Sequence, residues 1–176
     1  MQLSDVSIKE RQEKDDLITP WDDSQLQPAS YDLRISDTFL EPRVANSIFH
    51  RIKEPGLLKT STIKPFVLRS LCFALATTIE TVNIPIDLCA RVEGKSSLAR
   101  VGLFIHISAG FIDPGFHGQL TLEMFNASPF DFILEDEMRI AQIAFFMLDK
   151  PAYVPYGHET LNSHYQGQRG PVGARF

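Results

Sequence analysis

The sequence predicts an all-β protein with one short N-terminal helix, and three observations indicate this class. Thirteen Phe and eleven Pro stand among 176 residues, and few stretches keep an uninterrupted helical pattern. Six prolines between positions 20 and 85 divide the first half into segments too short for long helices. Short apolar or alternating runs separated by turn residues are typical of a β-barrel or jelly roll. The length suits one domain, which we expect to span residues 1–176.

The elements follow in chain order. Residues 4–16 begin with Ser4, a good N-cap, and continue with helix-forming residues, so they predict the helix. Residues 66–84 are rich in β-branched and aromatic residues and predict two strands joined by a turn near Arg69 and Ser70. From residue 88 to residue 148 the chain predicts strand after strand, with 101–107 among them.

One strand alternates without interruption. Over 119–125, Leu120, Leu122 and Met124 share one face, and Thr121, Glu123 and Phe125 share the other. Turn residues precede it at 113–115 (Asp-Pro-Gly) and follow it at 126–129 (Asn-Ala-Ser-Pro). The end of the chain, 155–176, is polar and Gly-rich and predicts a mobile tail.

Composition limits the function classes. A formal net charge of −5 argues against binding a nucleic-acid polymer, which needs a broad basic face, but it leaves room for a small polyanion. The longest apolar stretch is too short to cross a bilayer, and the N-terminus resembles no leader peptide. Cys72 and Cys89 lie in apolar surroundings and predict buried, reduced thiols, so we expect a cytoplasmic protein.

The segment 93–100 (EGKSSLAR) concentrates polar groups suited to phosphate. Lys95 and Arg100 supply two cations, Ser96 and Ser97 supply two hydroxyls, and Gly94 frees the backbone. A phosphate loop of the GxxxxGK[ST] type is excluded because Cys89 stands where that motif needs Gly and a strand is predicted to follow. The alternative is a solvated strand end with incidental charges.

A second segment runs from 108 to 123 and ends on a carboxylate. Glu123 lies in mid-strand between Leu122 and Met124, an unfavourable place for an unpaired charge. Facing a pocket, this carboxylate could exchange protons near neutral pH. The alternative is that its face of the sheet is simply exposed to solvent.

Four strings together carry a family resemblance. They are QPASYDLR, EGKSSLAR, AGFIDPGFHGQLTLE and YQGQRGP, in that order over about residues 25–172. The chain resembles the dCTP deaminase family and is most similar to the bifunctional dCTP deaminase/dUTP diphosphatases. The resemblance implies the trimeric dUTPase-like fold, a distorted jelly-roll barrel that forms a homotrimer with active sites at subunit boundaries.

The resemblance also implies roles for individual residues. Glu123 would be general base and acid, while Ser96, Arg100 and the backbone at Ala109 would hold the attacking water, and Asp113 would lie near the sugar. The tail would close over the nucleotide, with His164 where relatives carry a Lys. The implied nucleotide-binding residues are Lys95, Ser96, Ser97, Leu98, Ala99, Arg100, Asp113, Thr121, Leu122, Glu123, Gln142, Tyr156, His164 and Gln168.

The residues argue for deamination without zinc. Zinc deaminases carry His-x-Glu and Cys-x-x-Cys pairs, and this sequence contains neither. The histidines, which are expected at the surface or in the core, are His50, His106, His117, His158 and His164. The resemblance implies Mg²⁺ held by phosphates and water, with no metal ligand from the protein.

Gly110 and Phe111 bear on the number of reactions. Members that stop at dUTP carry His-Arg here, and members that continue to dUMP and pyrophosphate carry Gly followed by an aromatic residue, as this chain does. The resemblance therefore favours conversion of dCTP to dUMP, ammonia and pyrophosphate, with dUTP as a further substrate and dTTP as a candidate inhibitor. The alternatives are a deaminase that stops at dUTP, a plain dUTPase, and a non-catalytic nucleotide-binding regulatory trimer.

Overall fold

The computed structural model of the protein describes residues 1–43, 56–61 and 64–175. Helices α1 (Asp5–Asp15) and α2 (Ser96–Ala99) and a 3₁₀ turn at Asp23–Gln25 accompany the strands. The strands are β1 (Ile18–Thr19), β2 (Leu26–Gln27), β3 (Ser30–Arg34), β4 (Phe39–Pro42), β5 (Leu58–Ser61), β6 (Phe66–Leu68), β7 (Phe73–Asn83), β8 (Leu88–Gly94), β9 (Leu103–Phe104), β10 (Phe111–Ile112), β11 (His117–Asn126), β12 (Phe132–Leu134) and β13 (Arg139–Met147).

The strands form the predicted jelly-roll barrel. One sheet has the order β5-β4-β7-β11-β9, with β1 also paired to β7, and the other has the order β10-β8-β13-β3-β2. A separate ribbon joins β12 to β6. These pairings are antiparallel, and the buried apolar side chains of the two main sheets meet in one core.

Strand β11 shows the predicted alternation. Leu120, Leu122 and Met124 are buried in the core, while Thr121 and Glu123 are half-buried on the other face. Because the period of a strand is two, the apolar residues fix which way Glu123 points. This confirms the prediction for 119–125.

Helix α1 also confirms its prediction. Ser4 caps it, with its hydroxyl accepting from the backbone N–H of Ser7, and Ile8 anchors it in the core. The Arg11 guanidinium donates two hydrogen bonds of 2.8 Å to the Asp87 carboxylate, just before β8, and so holds the pKa of that carboxyl below its usual range. The helix is thereby tied to the barrel.

Two expectations from the sequence were wrong in part. Within 101–107 only Leu103–Phe104 is a strand, because Val101 and Gly102 form the turn that ends helix α2, with their backbone N–H groups donating to the Leu98 and Ala99 carbonyls. Cys72 is exposed in the turn between β6 and β7, whereas Cys89 is buried and its burial raises the pKa of the thiol. Among the described residues, no helix is long and apolar enough to cross a membrane, and the cytoplasmic location stays a prediction.

Candidate active site

A cavity of about 470 Å³ opens beside β11 and is the candidate active site. Its walls come from β5, β7, β8, the loop before β10, β11 and the tail. The predicted site residues that line it are Ala109, Gly110, Phe111, Asp113, Thr121, Glu123, Tyr156 and Gln168. The structure thus brings together the segment 109–113, the centre of β11 and the tail.

Glu123 lies against apolar neighbours on this wall. Its register partner on β7 is Leu75, which lines the cavity together with Phe73. Paired residues on adjacent strands point to the same face, so these two side chains border the carboxylate. A carboxylate with apolar walls and an open cavity in front of it is well placed to accept and return protons.

Gly110 lets the chain pass very close to β8. Its carbonyl oxygen accepts a hydrogen bond of 2.8 Å from the Val92 N–H. A Cβ on Gly110 would lie 2.7 Å from the Val92 carbonyl oxygen, nearer than real Cβ atoms come. This course of the chain therefore requires glycine, and it leaves Phe111 exposed at the mouth of the cavity.

Asp113 stands between two cavities. It lines the main cavity and also a smaller one of about 390 Å³, which is bordered by Pro114, Tyr156 and Asn162. The turn that carries Asp113 is held by the tail, since the Tyr156 N–H donates to the Pro114 carbonyl at 2.7 Å. A ligand extending from Glu123 past Asp113 would therefore reach the smaller cavity.

The tail forms part of the main wall. Tyr165, Val172 and Ala174 line the cavity beside Gln168, although none of the three was predicted. The Val172 N–H donates to the Thr121 hydroxyl at 3.2 Å. His164 instead pairs with Asn162 and packs edge-on to Tyr165, outside the cavity wall. The mobility of 155–176 stays a prediction.

The basic segment lies apart from this cavity in the described chain. Ser96, Ser97, Ala99 and Arg100 are exposed around α2, and Leu98 packs against the core. The Lys95 ammonium lies 2.6 Å from the nearly buried Asp32 carboxylate. Gln142 belongs to the same region, because its amide donates to the Gly94 carbonyl at 3.4 Å. Leu122 faces the core, so only its backbone remains available to a ligand.

His106, which the sequence predicted at the surface or in the core, is a further residue of the site. It lines the cavity, and both its ring nitrogens are buried without a hydrogen-bond partner among the described residues. Its ring lies beside Gly110, 3.2 Å from where a Cβ would be. Unpartnered buried polar atoms next to a cavity are where a ligand or water binds. In the described part of the chain, no three His, Cys, Asp or Glu residues cluster as a metal site.

Known proteins are similar to this chain over most of its length. The family model described as dCTP deaminase-like matches residues 2–148. Two relatives are named dCTP deaminase, dUMP-forming: that of Corynebacterium kroppenstedtii is 41% identical over 99% of this chain and 97% of its own, and that of Thermobifida fusca is 44% identical over 90% and 83%.

Solved structures share the fold. The 2'-deoxycytidine 5'-triphosphate deaminase of Agrobacterium tumefaciens aligns with a TM-score of 0.66 at 24% identity, covering 84% of this chain and 48% of that one. The EIAV dUTPase aligns with a TM-score of 0.50 at 18% identity, covering 82% and 94%. The barrel is therefore of the jelly-roll class that dCTP deaminases and dUTPases share. Within that class, the chain belongs to the dCTP deaminase family.

Proposed function

We propose that this protein is a dUMP-forming dCTP deaminase in which Glu123 is the catalytic acid and base. The observation that carries the proposal is the position of Glu123 in mid-strand, facing a cavity bordered by Phe73 and Leu75. The names of the relatives at 41–44% identity support the reaction.

Deamination needs one activated water. Glu123 accepts a proton from the water as its oxygen attacks C4 of the cytosine, and it passes that proton to N3, so that C4 becomes tetrahedral while the ring stays intact. Glu123 then takes the remaining proton from the C4 hydroxyl and delivers it to the amino group, which leaves as ammonia while the C4–O bond becomes the carbonyl of uracil. A general base of this kind contributes about 10²–10⁴-fold in rate, so preorganised dipoles must supply the rest.

We place the second reaction towards Asp113. A second water attacks the α-phosphorus of the nucleotide, pyrophosphate leaves, and dUMP remains. Gly110 and Phe111, which are uncharged and line the cavity together with Asp113, support this second reaction, because they would leave room there for the second water. Mg²⁺ would enter with the triphosphate and keep phosphate and water as ligands, which neutralises the developing charge.

We further propose that the site is completed by a neighbouring subunit of a homotrimer. Lys95, Ser96 and Arg100 do not line the cavity of their own chain, so they would serve the cavity of the next one. Large apolar side chains are exposed beyond α2, with Val101, Phe104 and Ile107 each about half exposed, and such a surface suits a subunit contact. dTTP, which shares the sugar and triphosphate, would compete for the same site.

The decisive test is product analysis with dCTP and Mg²⁺. We expect equal release of ammonia and pyrophosphate, with dUMP as the nucleotide product. Accumulated dUTP without pyrophosphate would identify a deaminase only, pyrophosphate from dUTP without ammonia from dCTP would identify a dUTPase, and no product with either would identify a binding protein.

Glu123→Gln tests the assigned residue. The amide cannot accept the proton of water, so we expect ammonia release to fall about 10²–10⁴-fold, while the dissociation constant for dCTP, measured by calorimetry, changes by less than about fivefold. Glu13→Gln, on the exposed face of α1, is the control and should behave as wild type. Near-normal deamination by Glu123→Gln would remove this residue from the mechanism.

A further inference from the structure

Gln119 joins the tail to the barrel through four polar groups. Its backbone N–H donates to the Gln168 carbonyl at 3.1 Å, and its own carbonyl accepts from the Gln168 side chain at 2.7 Å. Its side-chain oxygen accepts from the Gly170 N–H at 2.7 Å, and its side-chain nitrogen donates to the Ile79 carbonyl at 3.1 Å. One residue of β11 thus holds two tail residues and one residue of β7.

The strand is shaped to receive the tail at this point. Gly118 has a φ of +151°, and a Cβ there would lie 3.1 Å from both the backbone nitrogen and the oxygen of Gln168. The pairing of β11 with β7 shifts register between Gln119 and Thr121, which leaves the Ile79 carbonyl free to fix the Gln119 amide. The backbone of β11 at Gly118 therefore packs directly against the backbone of the tail at Gln168.

The attachment sets the position of cavity-lining residues. Two residues beyond Gly170, the Val172 N–H reaches the Thr121 hydroxyl, two positions before Glu123. Gln168 and Val172 both line the cavity. A tail released from Gln119 would carry these two walls away from the catalytic face.

We propose that Gln119 is a positioning residue that seats the tail over the active site. Its own side chain lies outside the set that lines the cavity, so it acts through Gln168 and Val172. The kinetic consequence rests on the proposed function, whereas the seating itself does not.

Trypsin measures the seating without any activity. Arg169 is exposed and lies between the two tail residues bonded to Gln119, and a seated segment resists cleavage because a protease needs the chain locally released. Mass spectrometry follows the cleavage after Arg169. We expect this cleavage to be about three- to tenfold faster in Gln119→Ala than in wild type, because the variant loses the hydrogen bond from the Gly170 N–H, and one hydrogen bond corresponds to a factor of that size.

Matched variants separate seating from general damage. Gly118→Ala should accelerate the same cleavage, because its Cβ displaces Gln168, and Gln119→Glu should fall between Ala and wild type, because it keeps an acceptor for Gly170. His117→Ala is the control, since the backbone of His117 makes the tail contacts there. Equal cleavage rates in wild type and Gln119→Ala, with unchanged melting temperatures, would overturn the proposal.

Kinetics give a second readout. We expect Gln119→Ala to raise the KM for dCTP about three- to tenfold and to change kcat by less than about twofold. Gln119→Glu should raise the KM by less than Gln119→Ala does. A fall in kcat with KM unchanged would contradict seating as the role. If the wild type proved inactive, the proposed function would fail, and the cleavage comparison would still decide the role of Gln119.

Discussion

At Gly110 the main chain passes against β8 with no space for a side chain. The hydrogen bond from the Val92 N–H and the closeness of the Val92 carbonyl place 109–111 in a single position beside the cavity. Glycine is required at this position because the backbone approaches the Val92 carbonyl so closely, and this requirement helps to define the shape of the site.

Gly110→Ala should therefore disturb catalysis without touching Glu123. The new Cβ would push 109–111 away from β8, and a displacement of about 1 Å at a catalytic wall costs on the order of 10²-fold. We expect ammonia release from dCTP to fall about 10- to 100-fold in a steady-state assay. Ser108→Ala, an exposed position in the same loop, serves as the control. Wild-type rates for Gly110→Ala would show that the loop has other positions compatible with catalysis.

At the scale of elements, a buried ion pair joins the two sheets. Glu80 on β7 is fully buried and accepts from the backbone N–H of Arg34 on β3 at 2.9 Å and from its guanidinium at 2.8 Å. Gln25 donates to the same carboxylate at 3.1 Å. Arg34 also reaches Glu137, whose side chain is 68% exposed. One cation thus has a buried and an exposed partner.

The two partners should differ strongly in their effect on stability. Glu80→Gln leaves the Arg34 charge without its buried counterpart, so we expect a loss of about 3 kcal/mol in the free energy of unfolding. Glu137→Gln removes only a solvent-screened partner and should cost no more than about 1 kcal/mol. Urea unfolding at one fixed protein concentration measures both. Similar losses in the two variants would contradict the structural role given to Glu80.

At the scale of the whole molecule, the proposed trimer implies that each chain would contribute residues to two different sites. Glu123 faces its own cavity, while Arg100 is exposed on α2 and lies outside that cavity. In the proposed trimer, the Glu123 of one chain and the Arg100 of the next would meet.

Mixed trimers test this arrangement. Glu123→Gln and Arg100→Ala homotrimers should each be nearly inactive. Unfolding and refolding them together in equal amounts should restore about a quarter of the wild-type ammonia release, because random mixing forms that fraction of intact sites in a cyclic trimer. Refolding each variant alone is the control. If mass spectrometry shows that the trimers contain both variants and ammonia release still does not recover, Glu123 and Arg100 belong to the site of one and the same chain.

Features of the structure that depend on residues close together in the sequence could be predicted, and features that depend on distant segments could not. Local patterns predicted α1, the turn between β6 and β7, and the alternation that directs Glu123 into the cavity, because these depend on near neighbours. The pairing of Lys95 with Asp32 and the place of Val172 beside Thr121 depend on segments far apart in the chain, and no local pattern carries them. His106 could be found only from its nearness to Gly110 in space.

The wall of the main cavity is formed by two different parts of the chain. One side of the cavity beside Glu123 is built from barrel strands, and a second side is built from tail residues between 156 and 174. The barrel is held by its core, whereas the second side is held by hydrogen bonds to β11 and by Tyr156 and Tyr165, which pack against that core. If the proposed roles of Glu123 and Gln119 hold, substitutions near the C-terminus would change how long products stay bound without changing the chemical steps.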